Sequence, residues 1–498
     1  MRRFSAFLGS TAFFLALLCL TPADAATTVV APGETLTLKE DLVLAGADVL
    51  EINGAAEKPS RLVGAAHQVR SGDAWTGHVK ITYCILQGLG TEKTDALALA
   101  VGGDGDITVT DSTFDASGSV HVTTRDKSTV TFRRNTVLEN ALFPVEKQPG
   151  DSRACFVADG SGAGRKLFQG NQIYKSLLTF QAPNWTIGGD TDADGNIVVG
   201  LRAGIFAKGD DIVIRRNYVH VLLPVNEKYP YWSQVATIGP CGDTQQNVIR
   251  DGHWIVRGMS GEFHHNVVLE VHGHNFVQIG AGKMHHNIFA HKSAFPDRLG
   301  DTRVIGGSSA VHQPYTTDAI ETYSNVFDGT SALTTAIEMN EKTLMPSLRN
   351  NVFYGFSVGA RPSAYPKEPA NANRDRLGYA DYNLWFNPDG PCDNYQLTVA
   401  GKTERKDDGF AKHDVRTGGP VDEQVDPKFK GPLPKAFPFS EEDVKARKVT
   451  VSQILEFYRQ AYSPAPGSPL LGAGDPADGA GTDIGAVQVS PLAPAPKK

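Results

Sequence analysis

Along this chain, segments of alternating apolar and polar residues keep ending at an asparagine followed by apolar positions. The phrase appears as Thr131-Phe-Arg-Arg-Asn135-Thr-Val, Ile212-Val-Ile-Arg-Arg-Asn217-Tyr-Val and Gly261-Glu-Phe-His-His-Asn266-Val-Val. It returns as Lys283-Met-His-His-Asn287-Ile-Phe, Thr322-Tyr-Ser-Asn325-Val-Phe and Leu348-Arg-Asn-Asn351-Val-Phe, with a weaker copy at Asp381-Tyr-Asn383-Leu-Trp-Phe. Asn266 and Asn287 are 21 residues apart, Asn325 and Asn351 are 26 apart, and wider gaps leave room for long loops. A repeat of this length without a helical period is one coil of a β-solenoid. The pattern therefore predicts an all-β chain, a single parallel β-helix over 26–488. Short strands of each coil pair in parallel with the next, and residues such as Phe263, Met284 and Val267 stack into a core. Asparagine suits the turns because its side chain bonds nearby backbone and tolerates left-handed conformations. Stacked turns can share an asparagine ladder. A sandwich of hairpins is the competing reading, but hairpins supply no fixed Asn-apolar-apolar phrase.

Both flanks add elements. Thr35-Leu-Thr-Leu and Asp41-Leu-Val-Leu have β character and open the solenoid. Residues 440–461 carry Val444, Val449, Val451, Ile454, Leu455 and Phe457 at helical spacing after a Ser-x-Glu-Glu start. This short C-terminal helix is expected to cover the end of the solenoid, where apolar core and strand edges would otherwise be bare. Residues 489–498 read as a disordered tail.

The first residues address the compartment. Arg2 and Arg3, the apolar run Phe13 to Leu20 and the small-x-small Ala23-Asp24-Ala25 make 1–25 a signal peptide, and the mature protein is expected to be secreted, periplasmic or at the cell surface. Cys19 raises a lipoprotein alternative, against which Leu17 and Leu18 stand in place of small residues. No later run approaches the ~20 apolar residues of a membrane helix. A net charge of −7 offers no basic field for nucleic acid, and a monomer is expected. Cys84, Cys155, Cys241 and Cys392 are an even set compatible with two disulfides in an oxidising compartment.

Together these phrases resemble the pectate-lyase-like superfamily of right-handed parallel β-helices. The tail Gly467-Ser-Pro-Leu-Leu-Gly-Ala-Gly-Asp475, then Gly481-Thr-Asp-Ile-Gly-Ala486, is similar to the ending of its secreted members. His413-Asp-Val through Val425-Asp-Pro-Lys-Phe429 resembles what often precedes that ending. The resemblance implies a carbohydrate-active protein, but lyases, hydrolases, epimerases and inactive members share the architecture.

Alignment on the asparagine places candidate chemistry. Two positions before it stand Arg133, Arg215, His264, His285, Tyr323 and Arg349; four before it stand Glu262, Lys283 and Glu321. Alternation turns both columns outward, with neighbouring coils about 4.8 Å apart. The result is an expected basic and aromatic stripe suited to an acidic polysaccharide, with arginines pairing to uronate carboxylates. The same residue types also serve as ordinary solvated surface.

Nine of the 14 histidines fall between His253 and His312. Elimination from a uronate needs a base, a cation on the carboxylate and an acid for the leaving oxygen, and histidine suits such work. Lys283, His285, His264, Arg215 and Tyr323 are the candidate catalytic set, placed on adjacent coils. Arg133, Arg349, Glu262, Tyr231, Trp232, Arg303 and His312 are candidate substrate-binding residues, the last four from long connections. His265 and His286, beside the turn, also read as a structural histidine ladder. A lyase is preferred over a hydrolase because no carboxylate dyad stands out; a noncatalytic adhesion rod is the alternative. Finally, Asp190, Asp192, Asp194 and Asn196 resemble the first half of a calcium-binding EF-hand loop, with Asn196 giving its backbone carbonyl. Leu201 stands where that loop has its bidentate glutamate.

Overall fold

A computed structural model of the chain describes residues 25–139, 154–174, 177–200, 203–222, 236–239, 241–252, 254–270, 275–291, 309–313, 319–329, 335–339, 345–362, 377–395, 397–399, 402–404, 413–415 and 424–489. The chain winds as a right-handed parallel β-helix. Among the described residues, three sheets, each of 14 strands and parallel throughout, run its length, and every coil gives one strand to each. Sheet A begins at Thr27–Val30, sheet B at Thr35–Thr37 and sheet C at Leu42–Leu44. At about 4.8 Å per coil the stack is about 60 Å long.

The asparagines of the repeat lie at the corner between sheets A and B. Asn135, Asn171, Asn196, Asn217, Asn247, Asn266, Asn287, Asn325, Asn351 and Asn383 are all buried and form one hydrogen-bonded chain. The Asn266 backbone N–H and Nδ2 each donate to Asn287 Oδ1 at 3.0 Å, while Asn287 Nδ2 donates to the Phe263 carbonyl at 2.9 Å. The same pattern repeats from coil to coil and ends at Asp414, whose carboxylate accepts from the Asn383 N–H at 2.9 Å and from Trp385 Nε1 at 3.0 Å. Three members, Asn171, Asn196 and Asn247, lie outside the phrases recognised in the sequence.

The left-handed turn is not made by these asparagines. It falls on the residue before them, at Arg134, Arg216, Gln246, His265, His286, Ser324, Asn350 and Tyr382, with φ between 51° and 57°. The inward amide is reserved for the ladder, and the preceding residue turns the corner with its side chain outside.

The strand after the asparagine is buried on both faces. In Val267–Leu269, Val268 points into the solenoid with Phe263 and Met284, whereas Val267 and Leu269 join a second apolar cluster outside. Val267 thus belongs to a different core from the one the sequence suggested. Inside, Phe289, Phe327, Phe353 and Trp385 stack in successive coils, with centroids 4.8, 5.2 and 4.0 Å apart.

What covers the outside of sheet B is the C-terminal segment. The expected single helix is two, α1 (Glu441–Lys445) and α2 (Val451–Ala461), capped by Ser440 and Thr450. They do not plug the solenoid end. They lie along its flank, where Val444, Val451, Ile454, Leu455 and Tyr458 pack on Ile197, Val199, Tyr218, Val248 and their successors. Arg447 fastens the early end by donating to the Gly170, Asp192 and Gly195 carbonyls, and Tyr462 the later end by donating to Asp328 at 2.5 Å. The Gly467–Ala486 ending continues this strap: Asp483 accepts from the Gly472 and Val489 N–H groups, and Asn350 Oδ1 accepts from the Asp475 N–H.

Cys84, Cys155 and Cys241 are buried free thiols, so the two expected disulfides are not formed, and Cys392 is buried as well. They lie within the core cluster, and burial raises the thiols of Cys84 and Cys155 to about 12. Among the described residues, no helix is long and apolar enough to cross a membrane.

Candidate functional site on sheet A

The outer face of sheet A carries the chemistry. Its strands Glu262–His264, Gly282–His285 and Ile320–Tyr323 are consecutive. In register, Glu262 pairs with Lys283 and then Glu321, while His264 pairs with His285 and then Tyr323, as the 21-residue spacing predicts. Phe263 and Met284 between them are buried, so both columns face outward. Glycine sets the entry to each strand: Gly261 and Gly282 have φ of 86° and 103°, and a Cβ on Gly282 would lie 2.1 Å from the Gly261 carbonyl oxygen.

The inner column is a stack of flat groups. His264 lies on His285 with centroids 4.9 Å apart, His285 on Tyr323 at 4.7 Å, and the Arg349 guanidinium 4.5 Å over the Tyr323 ring. A second stack runs beside it, since the left-handed turn places His265 and His286 outside the corner with rings 4.9 Å apart and 4° from parallel. The two stacks are joined within each coil. His264 Nδ1 is 2.7 Å from His265 Nδ1, and His285 Nδ1 is 2.9 Å from His286 Nδ1. His264 Nε2 meets Asp243 Oδ1 at 2.9 Å.

Burial and crowding keep His265, His285 and His286 neutral. Burial, followed by the neighbouring histidines, pushes His265 and His285 down to about 3, and burial with His264 and Arg459 pushes His286 down to about 4. A hydrogen bond between two imidazole nitrogens needs one donor and one acceptor, which neutral rings provide. Burial, then the charge of Glu262, raises Tyr323 to about 12, so its phenol keeps its proton at neutral pH.

The cations of the expected stripe are nearly all paired within the chain. Lys283 Nζ is 3.3 Å from Glu262, both about half exposed. Arg215 is 2.7 Å from Asp190, Arg133 is 3.0 Å from Asp194, and Arg349 makes a two-pronged pair with Asp478 at 2.8 and 2.9 Å. Arg215 is also not next to the histidines. Gln245 occupies the intervening coil, so Arg215 is two coils, about 10 Å, from His264. Arg133 is farther still, in register with Gln169, with Gly188 facing Arg215 beyond it. The basic stripe is therefore interrupted. Its intervening coil, Asp243-Thr-Gln-Gln-Asn247-Val-Ile, fits the repeat in every position except the charged one and supplies both Gln245 and Asp243. Asp478 escapes a reading of the repeat because it reaches Arg349 from the strap.

The remaining candidates separate from this face. His312 lies on the strand Ser309–Gln313 of sheet C, in register with Gln278 and Glu338, so it belongs to a rung and not to a loop over the stripe. Tyr231, Trp232 and Arg303 lie outside the described residues. The proposed calcium loop does not converge. Asp190 turns to Arg215, and Asp194 accepts from Arg133 and Thr191. Asp192 accepts from the Ser452 N–H and hydroxyl at the start of α2. Asn196 is a ladder residue whose backbone carbonyl accepts from the Tyr218 N–H. Its carboxylates tie protein segments together and are not arranged as a ligand set. Among the described residues, the one group of three or more metal-ligating side chains is His264, His265 and His285, whose ligand atoms all lie within 4.8 Å of one another.

The chain matches no family model, and no curated protein or solved structure is significantly similar to it.

Proposed function

We propose that this is a secreted carbohydrate-active β-helix protein of the pectate-lyase-like type, acting on an acidic, uronate-containing polysaccharide by β-elimination. The observation that carries the reading is the outward column His264–His285–Tyr323–Arg349 with Lys283 and Glu262 alongside. A sugar chain laid along this sheet meets flat rings at a spacing of about one coil. It also meets a lysine able to face a carboxylate, neutral imidazoles able to accept a proton and a phenol able to donate one. Lys283, His285 and Tyr323 are the residues assigned to chemistry, and His264 and Arg349 bound the stack. Arg215 and Arg133 are too distant for the reacting atoms and belong at most to substrate binding. Incubation with a panel of uronate polysaccharides, followed by ultraviolet absorbance of the unsaturated product, tests the reading. Lys283→Ala and His285→Ala should each lower turnover by about 10²–10⁴-fold. Unchanged turnover in both removes the site assignment.

A second reading, a noncatalytic polysaccharide-binding rod, draws support from the pairing of Arg133, Arg215, Lys283 and Arg349 with carboxylates of the same chain. Saturable binding to such a polysaccharide without any unsaturated product would favour it.

A further inference from the structure

We propose that His264, His265 and His285 form a binding site for a divalent first-row transition metal, with Zn²⁺ or Cu²⁺ the fitting class. One ligand atom from each of the three lies within 4.8 Å of the others. Imidazole nitrogen suits these ions, whereas the hard cations calcium and magnesium take oxygen.

The tautomers already favour coordination. His264 Nε2, 2.9 Å from Asp243 Oδ1, donates its N–H to that carboxylate, which leaves Nδ1 as a bare lone pair. This is the carboxylate–histidine arrangement that orients a metal ligand and raises its basicity. His265 then supplies the hydrogen of the 2.7 Å Nδ1–Nδ1 contact. A metal takes the place of that hydrogen: the His265 proton moves to Nε2, its Nδ1 lone pair turns to the ion, and no proton is gained or lost. The 2.9 Å contact between His285 Nδ1 and His286 Nδ1 opens in the same way when His285 turns to the ion.

Distances require only side-chain motion. Metal–nitrogen bonds of about 2.0–2.1 Å in a tetrahedral site put nitrogens about 3.4 Å apart, so the close pair opens by about 0.7 Å and the nitrogen from the next coil moves inward. The backbone under these rings is held by the asparagine ladder through Asn266 and Asn287. Three protein ligands leave a fourth position open, the layout of catalytic metal sites rather than closed structural ones. Where the polysaccharide reading holds, a uronate carboxylate is the natural fourth ligand, but the metal site stands on the histidine geometry alone.

The test needs no sugar. Full-length protein is stripped with chelator and titrated calorimetrically with Zn²⁺, and separately loaded with Cu²⁺ for electron paramagnetic resonance. One equivalent of Zn²⁺ should bind, and the Cu²⁺ spectrum should show nitrogen hyperfine structure. His285→Ala should weaken Zn²⁺ binding at least about 100-fold. Asp243→Asn, a change at a partly exposed carboxylate outside the histidine set, should weaken it by about 10–100-fold while circular dichroism stays that of the parent. No saturable binding, or affinity unmoved by Asp243→Asn together with a copper spectrum lacking nitrogen ligands, would overturn the site. Should the metal bind while no uronate polymer is turned over, the site stands and the elimination reading falls. Turnover of a uronate polymer by protein that binds no metal has the opposite meaning: the elimination reading stands and the metal site falls.

Discussion

Sheets A and B belong to the same coils, share one asparagine corner and alternate inward and outward residues by the same geometry, yet their outer faces differ in kind. Outside sheet B, the positions after the asparagines from Asn196 to Asn383 are Ile197, Tyr218, Val248, Val267, Ile288, Val326, Val352 and Leu384, all buried under the strap. Outside sheet A, the positions before the asparagines are polar, most of them charged, aromatic or imidazole with Gln169 and Gln245 as breaks, and Lys283 and Glu262 remain about half exposed. The solenoid thus gives one flank to its own stability and keeps the other for chemistry. A single residue's distance from the asparagine decides which role it has.

Substitutions can break this contrast at graded cost. The largest effect is expected at Ile288, which is buried between sheet B and the strap. Ile288→Asp places an unpaired charge there and should cost more than about 4 kcal/mol, seen as a lowered denaturant midpoint or insoluble expression. A stability close to the parent would mean that the strap is not a fixed part of the fold. Next is the corner itself. Asn287→Ala leaves the Asn266 N–H and the Phe263 carbonyl without this partner, while Asn266 Nδ2 keeps the Thr244 and His264 carbonyls, at about 1–3 kcal/mol for each buried unsatisfied group. A loss of about 3–5 kcal/mol is expected, and both faces should loosen together in hydrogen exchange.

A smaller, pH-dependent effect concerns the strap alone. His220 on sheet B lies between two carboxylates, Glu441 of α1 at 2.8 Å and Asp251 at 3.1 Å. Burial opposes its protonation, but the bonds to Asp251 and Glu441 outweigh it and raise its pKa above 6.5. Burial likewise opposes ionisation of Glu441, and the His220 contact outweighs it and lowers that pKa below 4.5. The histidine's contribution is complete below pH 6.5 and is lost as pH rises through its raised value. The glutamate's is present above pH 4.5 and is lost as pH falls through its lowered value. The melting temperature should therefore peak between about pH 4.5 and 6.5 for this pair, and His220→Asn should flatten the alkaline side. A slope unchanged in that variant would assign the effect elsewhere. Smallest of all, Lys283→Ala on the exposed face should alter stability by no more than about 0.5 kcal/mol. A loss above about 1 kcal/mol by chemical denaturation would show that sheet A's outer face is also structural.

The architecture is legible in the sequence because the repeat is a statement about hydrogen bonds. A buried amide is needed once per coil, so asparagine recurs, and its spacing sets the register of Glu262 with Lys283 and His264 with His285. Position-by-position roles are harder to read. Two apolar residues after each asparagine look alike in sequence, although Val268 faces the inner core and Val267 the strap. The αL turn is naturally assigned to the asparagine because that residue tolerates it, whereas the less obvious His265 and Arg216 adopt it. Coils in which the outward residue is uncharged, as at Gln245 and Gln169, escape the phrase, so a broken stripe reads as continuous. The acidic Asp190–Asp194 run resembles a metal loop because spacing along the chain does not reveal partners from afar. Arg133, Arg215 and Ser452 claim its carboxylates, and Ser452 comes from residues 260 positions away.

The strap also sets an order of events. Each coil pairs with its neighbour close in sequence, so the solenoid can zip up progressively from its first coils. Residues 424–489 are different: their partners include Gly170, Asp192 and Tyr218, more than two hundred positions earlier. Until that segment is in place, the outer row from Ile197 to Leu384 stands bare as a long apolar ridge, the kind of surface through which partly folded chains stick to one another. Closing it is a loop-closure step of long range, and such steps are slow relative to local pairing. Maturation of this molecule is then expected to be two-phased, a quick winding followed by a late clasp.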